Sequence, residues 1–462
     1  MPSVGVRVSL NTEMQKFLPE KTVTPSPGQN PRMTADSAQV TAASVTWANA
    51  EPDTLMERVL APTNLKRAYH RVVSNKGAPG ADGMTVDELA GYVKQYWPIL
   101  KTRLLAGEYH PQGVRAVNIP KPKGGTRQLG IPCVVDRLIQ QALLQQLTPI
   151  FDPLFSDYSY GFRPGRSAHQ AIETARGHVA AGHRWCVELD LEKFFDRVNH
   201  DVLMAHIERQ VDDKRVLRLI RRYLEAGIMS GGIASRRQEG TPQGGPLSPL
   251  LANVLLDEVD RELEHRGHCF VRYADDANVY VRSKKAGQRV MALLKRLYEK
   301  LHLSVNESKS AVASVFGRKF LGYAFWASPQ GVKRTVAVKA RQRFKQCIRW
   351  FTRCSGGRSL QQVVDRLRPY MLGWKGYFGL SQTPRIWREL DEWIRHRLRA
   401  IQLKQWRRSS TIYRELRRLG ASEATARKVA GSSRCWWRNS ALELNRVLDI
   451  AWFDRTGLPR LS

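Results

Sequence analysis

Residues 270–281 of this chain read Phe-Val-Arg-Tyr-Ala-Asp-Asp-Ala-Asn-Val-Tyr-Val. Two β-prone runs, Cys269–Tyr273 and Ala277–Val281, flank the adjacent acids Asp275 and Asp276, and an apolar strand interior does not tolerate unpaired carboxylates. The pattern predicts a β-hairpin with both acids at or near the turn, exposed to bind a cation. Because an Asp-Asp pair in a turn is by itself more often a solvated turn, this interpretation depends on other segments.

A second segment supplies a third carboxylate. An apolar, strand-like run from Trp185 ends at Asp190, and a helical pattern follows over Phe195–Ile207. A carboxylate at the carboxyl end of a strand lies at the rim of its sheet, where it can reach a ligand. Together with Asp275 and Asp276 it would form an oxygen-rich site of the type that binds Mg²⁺ or Mn²⁺. Paired cations of this kind serve in-line phosphoryl transfer.

Between these segments lies a loop rich in glycine and proline, at residues 240–250. Its composition excludes an ordinary helix or central strand. A helical pattern begins at Leu250, with Ser248 as its predicted N-cap. Gln243 is well placed to hydrogen-bond a nucleotide from this loop. The alternative is a structural turn that joins two elements.

Taken in order, the segments around Asp190, residues 241–244 and residues 273–276 resemble those of reverse transcriptases. More specifically, the chain is similar to the bacterial group II intron-encoded reverse transcriptase/maturases. Further matching segments, within roughly residues 60–460, are residues 75–83, 119–132, 160–164, 319–322 and 373–378. Each motif is weak alone, whereas the ordered set is specific.

The resemblance implies that Asp190, Asp275 and Asp276 are the catalytic residues and hold two Mg²⁺ ions, for which Mn²⁺ can substitute. Asp275 and Asp276 are neighbours, and adjacent residues of an extended chain point to opposite sides. Asp276 is therefore either a direct ligand or a weaker, more distant one.

The resemblance also implies contacts to nucleotide and primer. Phe195 would be the steric gate against a ribose 2′-hydroxyl, although core packing beside Phe194 is the alternative for this ring. The other implied contacts are Gln243 to the incoming dNTP, Lys121 and Arg127 to its triphosphate, and Lys319, Phe320, Leu321 and Gly322 as the primer grip. Lys121 and Arg127 flank a Gly-Gly turn that would bring two cations together at a hairpin tip, where a solvated basic hairpin is the alternative.

The expected fold is α+β, because several short strands occur among longer helices. In the terms of the family it is a right-hand polymerase. Residues 1–45 are expected to be a loosely ordered N-terminal segment. Residues 46–337 are expected to form fingers and palm around a small antiparallel sheet, residues 338–405 an all-α thumb or maturase domain, and residues 406–462 a small basic helical DNA-binding region.

Positive charge is concentrated toward the C-terminal end. The chain has 74 Lys plus Arg against 42 Asp plus Glu, a formal net charge of +32. From Lys333 onward there are 30 basic and 9 acidic residues and eight of the 12 tryptophans. This combination indicates nucleic-acid binding. Arg388, Arg395 and Arg399 share one helix face by their spacing and are the predicted contacts, with a solvated face as the alternative.

Other features restrict the setting. The sequence contains no signal peptide, no run of 18 apolar residues and no lipidation motif, which argues against a basic membrane-surface helix and for a soluble, cytoplasmic protein without a membrane partner. The six cysteines include no C-x-x-C pair and read as reduced thiols. No Cys/His-rich nuclease segment follows the basic region, so the chain resembles the endonuclease-lacking, group IIC-like members.

The resulting hypothesis is an RNA-directed DNA polymerase encoded by a group II intron, which makes cDNA in intron mobility and acts as a maturase in splicing. Its expected partners are group II intron RNA, the template RNA–DNA primer duplex, target DNA and dNTPs; the sequence leaves the oligomeric state open. One alternative is an RNA-binding splicing cofactor whose catalysis has lapsed. Another is a reverse transcriptase that works outside an intron, in defence or repair.

Overall fold

A computed structural model describes residues 54–120, 126–230, 233–235, 239–241, 244–353, 357–441 and 444–462. It divides into two compact units, with the boundary between Ser314 and Val315. We call the described residues up to 314 the N-terminal unit and those from 315 the C-terminal unit. The division groups residues 315–337 with the C-terminal helices, whereas the sequence analysis grouped them with fingers and palm.

The N-terminal unit alternates long helices with short strands. Its described helices are α1 (Leu55–Val59), α2 (Pro62–Ser74), α3 (Leu89–Leu105), α4 (Val134–Phe151), α5 (Ala168–Ala180), α6 (His200–Glu208), α7 (Lys214–Glu225), α8 (Ser248–His265) and α9 (Lys284–Lys300). Its described strands are β1 (Val114–Pro120), β2 (Thr126–Ile131), β3 (Trp185–Leu189), β4 (Ile228–Ser230), β5 (Ile233–Ser235), β6 (Cys269–Tyr273), β7 (Asp276–Val281) and β8 (Ala311–Ser314).

These strands form two sheets. One has the order β6-β7-β3-β8 and is antiparallel throughout. The other has the order β2-β1-β4-β5, in which β1 and β4 pair in parallel and the other pairs are antiparallel. The prediction of an α+β fold with a small antiparallel sheet is confirmed, and so is the β6–β7 hairpin.

The β6-β7-β3-β8 sheet is positioned by an apolar core. Val187 in β3 and Val279 in β7 are cross-strand partners, and both are fully buried. Helix α9 covers these strands, and a Cβ on its Gly287 would clash with Val312 of β8. The absence of a side chain at Gly287 therefore lets the helix approach the sheet closely.

Two local predictions are wrong. The helical pattern predicted from Phe195 is interrupted, because a short 3-10 turn at Phe194–Asp196 precedes helix α6, which begins at His200 with the Asn199 side chain as its N-cap. Ser248 is the first residue of α8 and not its cap; Leu247 holds the cap position without a side-chain hydrogen bond. Hydrophobic periodicity locates a helix more reliably than it locates the first turn.

The C-terminal unit joins a three-stranded antiparallel sheet to a set of helices. The strands are β9 (Lys319–Phe320), β10 (Tyr323–Ser328) and β11 (Gly331–Val336), in the order β11-β10-β9. The described helices are α10 (Val338–Phe351), α11 (Leu360–Phe378), α12 (Pro384–Trp406), α13 (Ser409–Arg418), α14 (Glu423–Gly431), α15 (Trp436–Ala441), α16 (Leu444–Val447) and α17 (Ile450–Arg455). No helix in the described parts of either unit is long and apolar enough to cross a membrane.

Candidate active site

The three predicted carboxylates lie at one end of the β6-β7-β3-β8 sheet. Leu189, the last residue of β3, pairs with Ala277, so Asp190 follows the strand directly at the end of the sheet where Asp276 begins β7. Asp275 lies in the adjoining hairpin turn. The pairing therefore brings together acids from segments about eighty residues apart in the chain.

The hairpin turn has two residues, since Tyr273 pairs with Asp276 and only Ala274 and Asp275 lie between them. Ala274 has φ 58°, a left-handed conformation that a residue with a Cβ rarely adopts. Such a conformation costs on the order of 1–3 kcal/mol and persists only where its surroundings hold it. Asp275 and Asp276 are both exposed.

Asp190 has a cationic neighbour that the sequence analysis missed. Lys309 Nζ lies 2.9 Å from Asp190 Oδ2, and the two side chains are 59% and 37% exposed. The following residue, Ser310, accepts a hydrogen bond at its Oγ from the Asp190 backbone N–H, at 3.1 Å. An exposed ion pair of this kind contributes at most about 1 kcal/mol, so a divalent cation could displace the ammonium group. Only the folded chain reveals the pair, because 119 residues separate its members.

The donor set fits a hard divalent cation, because all three side chains offer carboxylate oxygens. Within the described residues, however, no group of three or more His, Cys, Asp or Glu side chains lies close enough to hold a metal ion. The fold thus places Asp190, Asp275 and Asp276 at one sheet end without forming a complete coordination shell.

Phe194 and Phe195 have different environments. Phe194 is 3% exposed and belongs to the core, whereas Phe195 is only half-buried and meets the Phe194 ring edge-on at 5.0 Å between centroids. The backbone carbonyl of Phe195 accepts a hydrogen bond from Thr241 N–H at 2.7 Å. The preceding Gly240 has φ 88° and packs so closely that a Cβ there would clash with the carbonyl of Asp196. The loop that leads to residue 243 is therefore docked against the Phe195 backbone.

Three predicted nucleotide contacts cannot be placed in full. Lys121 and Gln243 lie outside the described residues. Arg127 belongs to β2, where its backbone pairs with Ile119, but its side chain is also outside the described part.

The predicted primer-grip residues form a tight bend in the C-terminal unit. Lys319 and Phe320 make up β9, and Leu321 and Gly322 follow with φ 47° and 81°. The Tyr377 hydroxyl donates a hydrogen bond to the Leu321 carbonyl at 2.9 Å. The bend is thereby tied to helix α11, while its role toward a primer stays a prediction.

The expectation of an exposed basic face on α12 is wrong for two of its three members. Arg388 is exposed, but Arg395 is 9% and Arg399 4% exposed. Arg399 Nε donates a hydrogen bond to the Leu448 carbonyl at 2.8 Å, and its guanidinium lies over the Phe453 ring. Burial, assisted by the neighbouring Arg395, lowers the pKa of Arg399 to about 10, so it stays protonated at neutral pH. These two arginines therefore have buried surroundings and do not form a free surface with Arg388.

The backbone of the hairpin turn packs closely against Gly161. A Cβ added to Gly161 would clash with the backbone nitrogen of Ala274. The Gly161 carbonyl accepts a hydrogen bond from Asn253 Nδ2, on helix α8, at 2.9 Å. The segment before α5 thus contacts both helix α8 and the hairpin turn that carries the exposed acids.

Comparison with known proteins identifies two family models that match this chain. Residues 119–325 match the family described as "Reverse transcriptase (RNA-dependent DNA polymerase)", and residues 341–420 match "Group II intron, maturase-specific domain". These matches confirm the resemblance to group II intron-encoded reverse transcriptase/maturases. A reverse transcriptase domain depends in general on divalent metal ions.

Similar proteins include Protein YkfC of Escherichia coli, 39% identical over 48% of this chain and 61% of that protein. Group II intron-encoded protein LtrA of Lactococcus lactis is 38% identical over 45% of this chain and 34% of LtrA. The chain therefore covers less than two thirds of either relative. Among solved structures, a chain of a Cas6-RT-Cas1–Cas2 complex is 24% identical over 54% of this chain and 43% of that chain, with a TM-score of 0.36, too low to support an inference.

Replacing Gly161 with alanine should destabilise the N-terminal unit, because the new Cβ meets backbone that cannot rotate away. Overpacking of this kind costs about 1–3 kcal/mol. The measurement is the midpoint of urea unfolding.

Gly177→Ala is the matched control. Gly177 lies within helix α5 with no atom near the added methyl group, so alanine there should stabilise by about 0.5–1 kcal/mol. Equal midpoints for the two variants would show that Gly161 has no special role.

Proposed function

We propose that this chain, which joins a reverse transcriptase domain to a group II intron maturase-specific domain, is an intron-encoded RNA-directed DNA polymerase that also assists splicing as a maturase. The observation that carries the proposal is the β3–β7 pairing, which brings Asp190 to the end of the sheet where Asp276 begins β7, next to the turn that holds Asp275. A binding surface for RNA alone has no need of three carboxylates at one sheet end.

In this proposal Asp190, Asp275 and Asp276 hold two Mg²⁺ ions, and Mn²⁺ can replace them. When bound, the cations would lower the pKa of the primer hydroxyl and stabilise charge on the transferred phosphoryl group. The protein's own side chains orient the substrates. In the proposal Lys121 and Arg127 bind the triphosphate of the incoming dNTP, Gln243 contacts the nucleotide, and Lys319, Phe320, Leu321 and Gly322 hold the primer end.

Phe195 is proposed as the gate that excludes a ribose 2′-hydroxyl. Its half-exposed ring, one side of which rests on the buried Phe194, supports this choice over Phe194. The hydrogen bond from Thr241 N–H to its carbonyl supports a placement beside the loop that carries Gln243.

A cation–aromatic surface on the C-terminal unit supports nucleic-acid binding there. The Trp393 ring of α12 has three cations within 5.5 Å of its centroid, from Lys345 and Arg349 on α10 and from Arg397. The Arg397 guanidinium also lies 6.0 Å from the ring of Trp437, which is 51% exposed. We call these five residues the Trp393 surface.

The Trp393 surface has both elements that a polynucleotide requires. Arg349 is exposed and can pair with phosphate. The Trp437 ring is held by His396, whose ring lies 3.9 Å away between centroids, and can stack on an unpaired base. We propose this surface, in place of Arg395 and Arg399, as a contact of the C-terminal unit with intron RNA.

Asp275→Ala should abolish Mg²⁺-dependent dNTP incorporation on an RNA template, because it removes a proposed metal ligand. A loss of at least about 10²- to 10³-fold is expected. Primer extension measures it, and intron RNA binding by filter retention should be unchanged.

Asp201→Ala is the control, since this acid is also exposed but is paired with Arg221 on helix α7. Extension that is equally fast with and without the Asp275 carboxylate would contradict the proposed site. A parent that binds intron RNA but extends no primer would leave only the splicing cofactor.

Phe195→Ala should admit ribonucleotides, because a smaller side chain leaves room for the 2′-hydroxyl. A steric barrier of about 1–3 kcal/mol corresponds to roughly 5- to 150-fold weaker discrimination once removed. The ratio of kcat/KM for dNTP and rNTP gives the result. Phe194→Leu, a core substitution, should change stability but not this ratio. If Phe194→Leu lowered the ratio and Phe195→Ala did not, the gate would be assigned to Phe194.

Replacing both Lys345 and Arg349 with glutamine should weaken binding of intron RNA and flatten its salt dependence. For every phosphate that the variant no longer neutralises, the slope of log K against log salt should fall by about 0.7–0.9. The control is Lys284→Gln with Lys285→Gln, which removes the same charge from exposed positions on α9. Equal slopes for the two double variants would show that only overall charge matters.

A further inference from the structure

Arg272 is a fully buried cation two residues before the hairpin turn. Its side chain is 1% exposed, and that of its partner Asp260, on helix α8, is 2% exposed. Arg272 Nε donates to both carboxylate oxygens of Asp260, at 3.0 and 2.8 Å. Its Nη2 lies 2.6 Å from Asp260 Oδ2, but it is not directed for a hydrogen bond, so we count that contact as an ion pair only.

The rest of the guanidinium reaches the turn itself. Arg272 Nη1 donates to the carbonyl of Ala274 at 3.0 Å and to Asn253 Oδ1 at 2.8 Å. Asn253 belongs to α8, as does Asp260. One planar group therefore links the helix to the residue that adopts the left-handed conformation, immediately before Asp275.

The Arg272 backbone is held as well. Its N–H donates to the Tyr158 carbonyl, and its carbonyl accepts from the Tyr160 N–H, both at 2.9 Å. Main chain and side chain of this residue are thus fixed by two different elements, one before helix α5 and one in α8. The hairpin cannot shift relative to α8 without breaking several of these bonds together.

Stability alone is a poor reason for this arrangement. A buried ion pair must overcome the desolvation of two charges, and apolar residues of similar volume often stabilise a core equally well. Burial raises the pKa of the Asp260 carboxyl, and the Arg272 guanidinium opposes that shift. What an apolar pair could not supply is a donor for the Ala274 carbonyl.

We propose that Arg272 is a positioning residue: anchored on Asp260 and Asn253, it holds the Ala274 carbonyl and so fixes the turn that presents Asp275 and Asp276 to divalent cations. The effect of this positioning on DNA synthesis rests on the proposed function. The effect on cation binding does not rest on it, and the two effects are measured separately.

The test uses the full chain with Arg272→Met combined with Asp260→Leu, which removes both charges and leaves neither one buried alone. Mn²⁺ affinity is measured by electron paramagnetic resonance of the free ion. Loss of a group that orients metal ligands weakens affinity by about 10- to 100-fold, and we expect that range here, with a urea midpoint close to that of the parent.

A second variant, Arg272→Lys, keeps the charge but loses the planar fork, so it cannot reach Asp260 and Ala274 together. It should also bind Mn²⁺ more weakly, and it carries the test if the double variant does not fold. The control, Arg215→Met with Glu57→Leu, removes a more exposed ion pair between α7 and α1 in the same unit and should leave Mn²⁺ affinity unchanged.

Primer extension supplies the second measurement. The double variant should show a lower kcat with a nearly unchanged KM for dNTP, and a higher Mn²⁺ concentration should restore part of the rate. If the variant lost activity through a general structural defect, a higher Mn²⁺ concentration would not restore the rate.

The outcomes separate the two claims. Parent-like Mn²⁺ affinity in both Arg272 variants would overturn the positioning role. If the parent extends no primer and yet Mn²⁺ affinity falls in these variants and in Asp275→Ala, the proposed polymerase fails and the positioning role stands. A parent that binds no Mn²⁺ would overturn both.

Discussion

The antiparallel register between β3 and β7 is the constraint on which the candidate site depends. It is set by uncharged, buried partners such as Val187 and Val279, each of which lies only three residues from Asp190 or Asp276. A slip of one residue would move Asp190 along the hairpin relative to Asp276 and turn the buried side chains of β3 to the other face of the sheet. The hydrophobic effect, acting on uncharged residues, thereby determines where the carboxylates lie.

The register positions only two of the three acids, and the turn that carries Asp275 needs separate support. Ala274 is held in a left-handed conformation by close packing against Gly161 and by the hydrogen bond from Arg272. Both supports connect to helix α8, through Asn253 and Asp260. In the described part of this unit, the turn that carries the exposed acids Asp275 and Asp276 is therefore held by a buried polar network of Arg272, Asn253 and Asp260.

The sequence predicted the features that follow from local pattern. Two β-prone runs on either side of an acid pair predicted the β6–β7 hairpin. The end of an apolar run predicted that Asp190 lies at the end of a strand. Sequence could not reveal Lys309 beside Asp190, because that ion pair joins segments 119 residues apart. It also misjudged Arg395 and Arg399, since helical spacing identifies residues that share a face but not what covers that face. Here Leu448 and Phe453 contact Arg399, and the sequence of α12 alone does not predict these contacts.

This limit changes how the positive charge of the C-terminal unit is understood. A net charge counts every arginine equally, but a guanidinium buried against carbonyls and aromatic rings, as Arg399 is, mainly holds the fold together. On the same helix, Asp391 is buried and accepts hydrogen bonds from the backbone N–H groups of Leu461 and Ser462. Helix α12 thus uses charged residues to dock the last residues of the chain. The charge available to a polyanion is what remains exposed. Of the three cations beside the Trp393 ring, Arg349 is exposed, whereas Lys345 and Arg397 are half-buried.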